Sequence, residues 1–194
     1  MAKAKPNPQV LKGREILVGV TGGIAAYKTA ALVSRLVQAG AGTSVIMTEH
    51  AARFVGPLTF QTLTGRPVYT DMFASPEVYR ADHISLADRA DLVVVAPATA
   101  NCLAKLAHGI ADDLLSTALL AVEAPVLLAP AMNERMWEHP AVRANVELLR
   151  SRGVRMIGPD EGYLACGTTG KGRMAEPDAI FEEIRKILGS RAQA

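Results

Sequence analysis

The chain has 194 residues and a formal net charge of +2, with 49% hydrophobic but only 5% aromatic residues. That length suits one domain around a single Val/Leu/Ile/Ala core, the composition of an α/β protein with buried parallel strands. The near-neutral balance gives no electrostatic basis for binding nucleic acid or for a polybasic membrane anchor, and no apolar run approaches the ~20 residues of a membrane span.

Residues 1–13 carry Lys, Pro and polar groups without periodicity and read as a disordered lead-in, lacking an apolar signal core, to a domain spanning 14–190. Residues 14–20 predict a first strand, which halts at Gly22-Gly23. From Ala25 the pattern turns helical: Ala26, Thr29, Leu32, Val33 and Leu36 share one side, and Gly40 supplies the stop. A second buried strand follows over 43–48, then a helical segment over 50–63 interrupted near Gly56-Pro57. Residues 64–73 read as irregular and 75–80 as a short turn or helix, and His83 precedes a helical piece over 84–89. Asp91-Leu-Val-Val-Val-Ala96 is the most strand-like run and predicts the centre of the sheet, ending in Pro97-Ala-Thr99-Ala100-Asn101 at a helix start.

Residues 112–122 predict another amphipathic helix, and 125–129 a strand that ends in Pro130-Ala-Met132-Asn133. Pro140 opens a helix to about residue 150, with Val142, Val146 and Leu149 inward and Arg143 and Glu147 as an i,i+4 pair. A fifth strand is expected over 154–157, and 158–174 reads as a glycine-punctuated loop. Pro177 starts the last helix, with Ile180, Phe181, Ile184, Ile187 and Leu188 as its apolar stripe. Strands alternating with helices imply one parallel sheet with right-handed crossovers and helices on both faces. Ligands in such sheets bind beyond the carboxyl ends of the strands, so Gly22, Gly23, Thr48, Thr99–Asn101 and Asn133 should share one rim.

The turn at Gly22-Gly23 lets the backbone approach a ligand, and the unpaired amides at the helix start favour an anion such as phosphate. Gly22-x4-Tyr27-Lys28-Thr29 has the spacing of a nucleotide-binding P-loop, but Tyr27 stands where the second glycine is needed. A GxGxxG fingerprint is missing too, although Glu49 stands where a ribose-binding carboxylate would. The bland alternative is a tight turn without a ligand. Thr99 and Asn101 can cap a helix or hold a cofactor phosphate. His83 is either a surface cap or a general base with an ordinary pKa near ~6.5. No His or Cys spacing suggests a metal site. Asn133 has an amide suited to a carboxylate, while Met132, Met136 and Trp137 read as an apolar lid. The two cysteines, Cys102 and Cys166, form no CxxC pair, which suits free thiols in the cytoplasm. Cys102 reads as a small buried group. Cys166 sits in the glycine-rich loop, where it can reach a bound ligand, and Lys171 and Arg173 beside it can meet an anionic substrate or simply be solvated.

Together the stretches Gly22-Gly-Ile-Ala-Ala-Tyr-Lys28, His83-Ile-Ser-Leu86, Ala96-Pro-Ala-Thr-Ala-Asn101, Pro130-Ala-Met-Asn-Glu-Arg-Met-Trp137 and Ala165-Cys-Gly-Thr-Thr-Gly-Lys-Gly-Arg-Met174 resemble the homo-oligomeric flavin-containing cysteine decarboxylase family. The resemblance runs from about Glu15 to the last helix and is strongest to members acting on 4'-phosphopantothenoylcysteine in coenzyme A synthesis. It implies a single-domain Rossmann-like (flavodoxin-like) α/β fold and bound FMN, held by Gly22, Gly23, Ile24, Thr48, Phe60, Thr99, Ala100 and Asn101. It also implies a trimer or dodecamer that binds flavin and substrate between subunits, and coverage of the decarboxylase portion alone of relatives fused to a ligase.

By the same resemblance, the substrate thiol is oxidised to a thioaldehyde, carbon dioxide leaves, and the resulting enethiol is reduced again to 4'-phosphopantetheine. His83 would be the base or orienting group, Asn133 would hold the carboxylate and Cys166 would donate the last proton. Met136, Ala165, Lys171 and Arg173 would shape the substrate pocket, with 158–174 as a clamp. The rivals are a peptidyl-cysteine decarboxylase, expected to lack the Ala-Cys-Gly loop, a flavin prenyltransferase, expected to lack the 133–137 stretch, and a non-catalytic regulatory flavoprotein, expected to carry an acidic tail or lose a catalytic residue.

Overall fold

In the computed structural model, residues 9–72, 82–163, 167 and 169–191 are described, with 82, 83, 190 and 191 described by backbone alone. Six parallel strands make the sheet: β1 (Glu15–Val20), β2 (Gly42–Met47), β3 (Val68–Tyr69), β4 (Leu92–Ala98), β5 (Val126–Pro130) and β6 (Arg155–Met156). Their order is β3-β2-β1-β4-β5-β6, with Ile16 of β1 opposite Thr43 on one side and Leu92 on the other. Without the two-residue edge strand β3 this is the flavodoxin order, and with it the Rossmann order. Both versions reverse direction between β1 and β4.

Alternation along the strands sorts side chains into two cores. Ile16, Val18 and Val20 face α1 (Ala26–Gln38), α3 (Pro57–Thr64) and α9 (Pro177–Arg191), where Leu32, Leu36, Phe60, Ile180, Phe181 and Ile184 are buried. Leu17, Val93, Val95 and Leu128 face α5 (Ala100–His108), α6 (Leu114–Ala121) and α8 (Pro140–Ser151), with Leu103, Leu115 and Leu149. The remaining helices are short: α2 (Glu49–Ala52), α4 (Asp82–Arg89) and α7 (Glu134–Trp137). Among the described residues no helix is long and apolar enough to cross a membrane.

Several expectations change. Within the expected lead-in, Leu11 is 2% exposed in the core and its amide donates to Ala39 O at 2.9 Å. The irregular stretch after α3 contains β3, a short edge pairing that carries too few residues to show periodicity. β4 continues through Pro97, whose missing N–H is accommodated by a register shift against β5 between Val95 and Ala98. Arg143 pairs with Glu138 at 3.0 Å, across the start of α8, where the expected partner was Glu147. The glycine-punctuated loop is an antiparallel hairpin, β7 (Asp160–Tyr163) with β8 (Thr169–Arg173). The turn expected over 75–80 lies outside the described residues.

At the amino ends of the strands, away from the predicted rim, Arg66 donates to both carboxylate oxygens of Glu15 at 2.6 and 2.9 Å. This hydrogen bonding outweighs partial burial and holds the Glu15 carboxyl below its ordinary 4.5. A lowered carboxylate stabilises the fold above its unfolded value and loses that contribution as pH falls through the lowered folded value. Arg66→Met should therefore lower Tm at pH 7 by about 2–4 °C, as expected for a half-exposed pair contributing on the order of 1 kcal/mol. Thermal melts at neutral pH and well below pH 4.5 check this, with the difference between variants fading in acid. An equal difference at both would remove the pair from the acid limb.

Candidate active site

Beyond the carboxyl ends of the strands, where the strand order reverses, lies a cavity of about 1080 Å³. Two strand–helix junctions form its floor. After β1, Gly22 packs so closely on α2 that a Cβ there would stand 2.3 Å from His50 Cβ. The Gly23 amide is spent on Thr21 O at 2.9 Å and that of Ala26 on Gly23 O at 2.9 Å. Ala25 caps α1 without a side-chain bond, so the amides of Gly22, Ile24 and Ala25 have no bond within the described turn. After β4, Thr99 caps α5, its hydroxyl accepting from Cys102 N at 3.4 Å.

Thr21 stitches the two junctions together. Its hydroxyl donates to Pro97 O at 2.7 Å and accepts from Thr99 N at 3.1 Å, in a position that is 2% exposed. Thr29 of α1 adds a single tie to β4, donating to Ala96 O at 2.6 Å. Two helix N-termini thus open on one space, and their positive ends suit a phosphate. Thr48 faces it from the end of β2, its side chain capping α2 by accepting from Ala51 N at 3.2 Å.

The opposite wall comes from β5, α7 and β8. Asn133 caps α7, its Oδ1 accepting from Arg135 N at 2.9 Å, and it lines the cavity with Met132 and Met136. Met132 N donates to Gly172 O at 2.9 Å, which lays the hairpin against this corner. Ile24, Tyr27, Met136 and Tyr163 line the cavity while 57%, 61%, 48% and 72% exposed, so its mouth is apolar and open.

Charged groups in the walls are paired. Lys28 Nζ meets Glu176 Oε1 at 2.9 Å, and Arg173 meets the same oxygen. Hydrogen bonding from Lys28 holds the Glu176 carboxyl below its ordinary value. Lys105 lies between Asp112 at 2.6 Å and Asp113 at 2.7 Å. Burial works to lower Lys105, but the two carboxylates outweigh it and raise its pKa. Asp113 also caps α6 through Ser116 N at 2.7 Å, and these bonds together overcome its burial and lower it. Burial, with Asp113 adding to it, pushes the Cys102 thiol up to about 12, which keeps it protonated and unreactive at neutral pH.

Of the residues expected at the site, Gly22, Gly23, Ile24, Thr48, Thr99, Ala100, Asn101, Asn133, Met136 and Arg173 line the cavity. Phe60 does not: it is fully buried in the core against α1. Lys171 is exposed on β8 outside the lining, and its amide turns to Glu134. His83 stands in the first turn of α4, its side chain outside the described residues, as are Ala165 and Cys166. Thr21, Lys28, Lys105, Asp113 and Tyr163 line the cavity without having been singled out for it. Only Lys28 carried a local signal, as the lysine of the P-loop-like spacing.

The flavoprotein family profile matches residues 4–189. The coenzyme A biosynthesis bifunctional protein CoaBC of Bacillus subtilis is 54% identical over 185 residues, covering 95% of this chain and 46% of the relative. The chain thus spans about half the length of the curated relatives it matches. A PPC decarboxylase mutant complexed with pantothenoylaminoethenethiol superposes with a TM-score of 0.83 at 31% identity, covering 89% of this chain and 97% of that one. The FMN-dependent cysteine decarboxylase SpaF superposes at 0.79 and 35% identity, covering 93% of this chain and 98% of SpaF. With a profile match over nearly its whole length and a cavity at the flavodoxin switch point, the chain belongs to the flavoprotein family.

Proposed function

We propose that this chain is the FMN-dependent enzyme that decarboxylates 4'-phosphopantothenoylcysteine to 4'-phosphopantetheine in coenzyme A biosynthesis. The observation that carries this reading is one cavity with two helix N-termini on its floor and the Asn133 corner on its opposite wall. The likeness to CoaBC and to PPC decarboxylase supports the choice of substrate. The cavity lies at the upper end of the usual ~300–1,000 Å³ of a ligand pocket, which leaves room for a flavin with substrate beside it.

An N-acylated cysteine has no amine for a Schiff base, so its carboxylate leaves readily only after the carbon bearing sulfur is oxidised. A bound FMN supplies a reversible two-electron sink for that oxidation. The amides of Gly22, Ile24 and Ala25 and the start of α5 at Thr99–Asn101 would hold its phosphate. Asn133, fixed by its cap to α7, would donate to the substrate carboxylate, and Met136 would close the apolar side. His83 would orient or deprotonate the thiol, and Cys166 would protonate the enethiol in the closing reduction. Arg173 stands where an anionic substrate tail would pass.

We read the domain as 14–190, with Leu11 of the preceding segment packed on it, 158–174 as its substrate clamp and the cytoplasm as the compartment in which it works. The exposed apolar mouth is the surface a second copy would cover, in keeping with a trimer or a dodecamer. The rival reading is a peptidyl-cysteine decarboxylase, kept in view because the FMN-dependent cysteine decarboxylase SpaF is slightly more identical to this chain than the PPC decarboxylase structure. Purified protein should be yellow, release FMN on denaturation and liberate carbon dioxide from 4'-phosphopantothenoylcysteine but not from a peptide ending in cysteine. Colourless protein without FMN affinity would sink the reading, and turnover of the peptide alone would transfer it to the rival.

A further inference from the structure

Glu134 follows Asn133 and does not line the cavity, yet it contacts the strand that does. Its Oε1 accepts from Lys171 N of β8 at 3.3 Å. Its carboxylate lies flat on Gly170, where a Cβ would stand 2.4 Å from both Cδ and Oε2. One step along, a Cβ on Gly172 would stand 2.2 Å from Met132 O, and Met132 N donates to Gly172 O. The backbone of Gly170-Lys171-Gly172 is therefore seated directly on Met132, Asn133 and Glu134. Both glycines are buried while Thr169, Lys171 and Arg173 are exposed, so β8 turns a face without side chains to this corner.

From this we propose that Glu134 is a positioning residue: its carboxylate fastens β8 to the Asn133 corner and sets the width of the cavity there. The inference rests on the decarboxylase reading only for what Asn133 holds. The contact has a mechanical reason. A backbone amide at a strand edge needs an acceptor, and an ionised carboxylate is a stronger one than water-exposed alternatives. Replacing both glycines' missing side chains with contact to rigid backbone and one carboxylate also leaves little freedom for Asn133 to drift.

The test uses the flavin-loaded oligomer and two readouts, amide hydrogen exchange at Lys171 and steady-state decarboxylation. Glu134→Ala should speed Lys171 exchange by about tenfold. It should raise KM about five- to tenfold with flavin content at the parent level, the loss expected for one ordinary hydrogen bond. Glu134→Gln keeps an acceptor oxygen and should recover most of both. Gly170→Ala should mimic Glu134→Ala, and combining the two should be no worse than either alone, because the methyl enters the space the carboxylate leaves. Exchange within about twofold of the parent in Glu134→Ala, a Glu134→Gln as impaired as the alanine, or losses that multiply in the double variant would each overturn the proposal. A parent without decarboxylase activity would defeat the functional reading alone, since Lys171 exchange still decides the contact.

Discussion

Cys166→Ser should release carbon dioxide from 4'-phosphopantothenoylcysteine and then stop, with the enethiol accumulating in amounts close to the flavin present. The last step needs a proton on carbon while electrons return to it. A thiol with an ordinary pKa near ~8.5 donates that proton far more readily than a serine hydroxyl. Loss of a general acid costs about 10²–10⁴ in rate, so formation of 4'-phosphopantetheine should fall at least about 100-fold. The first half of the reaction, assigned to His83 and Asn133, should persist. Mass spectrometry of products from stoichiometric enzyme separates the two species. Normal yield of saturated product from the serine variant would take Cys166 out of the mechanism.

Gly22→Ala should give folded protein that binds FMN about 30-fold more weakly. A Cβ at this position would be 2.3 Å from His50 Cβ and 3.1 Å from the His50 carbonyl carbon. Those atoms belong to α2 itself, so no side-chain rotation relieves the overlap and the turn must move away from β2. The amides of Ile24 and Ala25 would then lose their common aim at the proposed phosphate seat. Overpacking of this kind costs about 1–3 kcal/mol, and placing about 2 kcal/mol of it on the bound state weakens FMN binding about 30-fold. Fluorescence titration of the apoprotein with FMN measures this. Affinity within about threefold of the parent would mean that the turn is not the phosphate seat.

Much of the sheet was legible because its strands are continuous apolar runs bounded by turn residues. The Asp91–Ala96 run and the helix stripes of Leu32, Leu36, Ile180 and Ile184 landed where their periodicity put them. The rim was legible for a related reason: Gly22-Gly23, Thr99 and Asn133 each sit just after a predicted strand, and parallel strands end on one side. Phe60 shows the limit of local reading, since an aromatic near a cofactor motif has no local mark that separates packing from ligand contact, and in the fold it is fully buried. The hairpin was missed for the opposite reason. Gly162, Gly170 and Gly172 carry no side-chain alternation, so β7 and β8 are recognisable only by their mutual pairing and by the corner they rest on.

The sequence by itself determined the α/β class, the order of the main elements and the small polar residues at strand ends, since each depends on patterns within a few neighbouring residues. It also determined the family resemblance through five separate stretches. Only the tertiary structure decided how those ends are joined: Thr21 bridging to Pro97 and Thr99, Lys28 and Arg173 sharing Glu176, and Glu134 lying on Gly170. Lys28 and Glu176 are 148 positions apart. Contacts of that span leave no periodicity to read, and they exist only because the crossovers and the hairpin bring distant backbone to one rim.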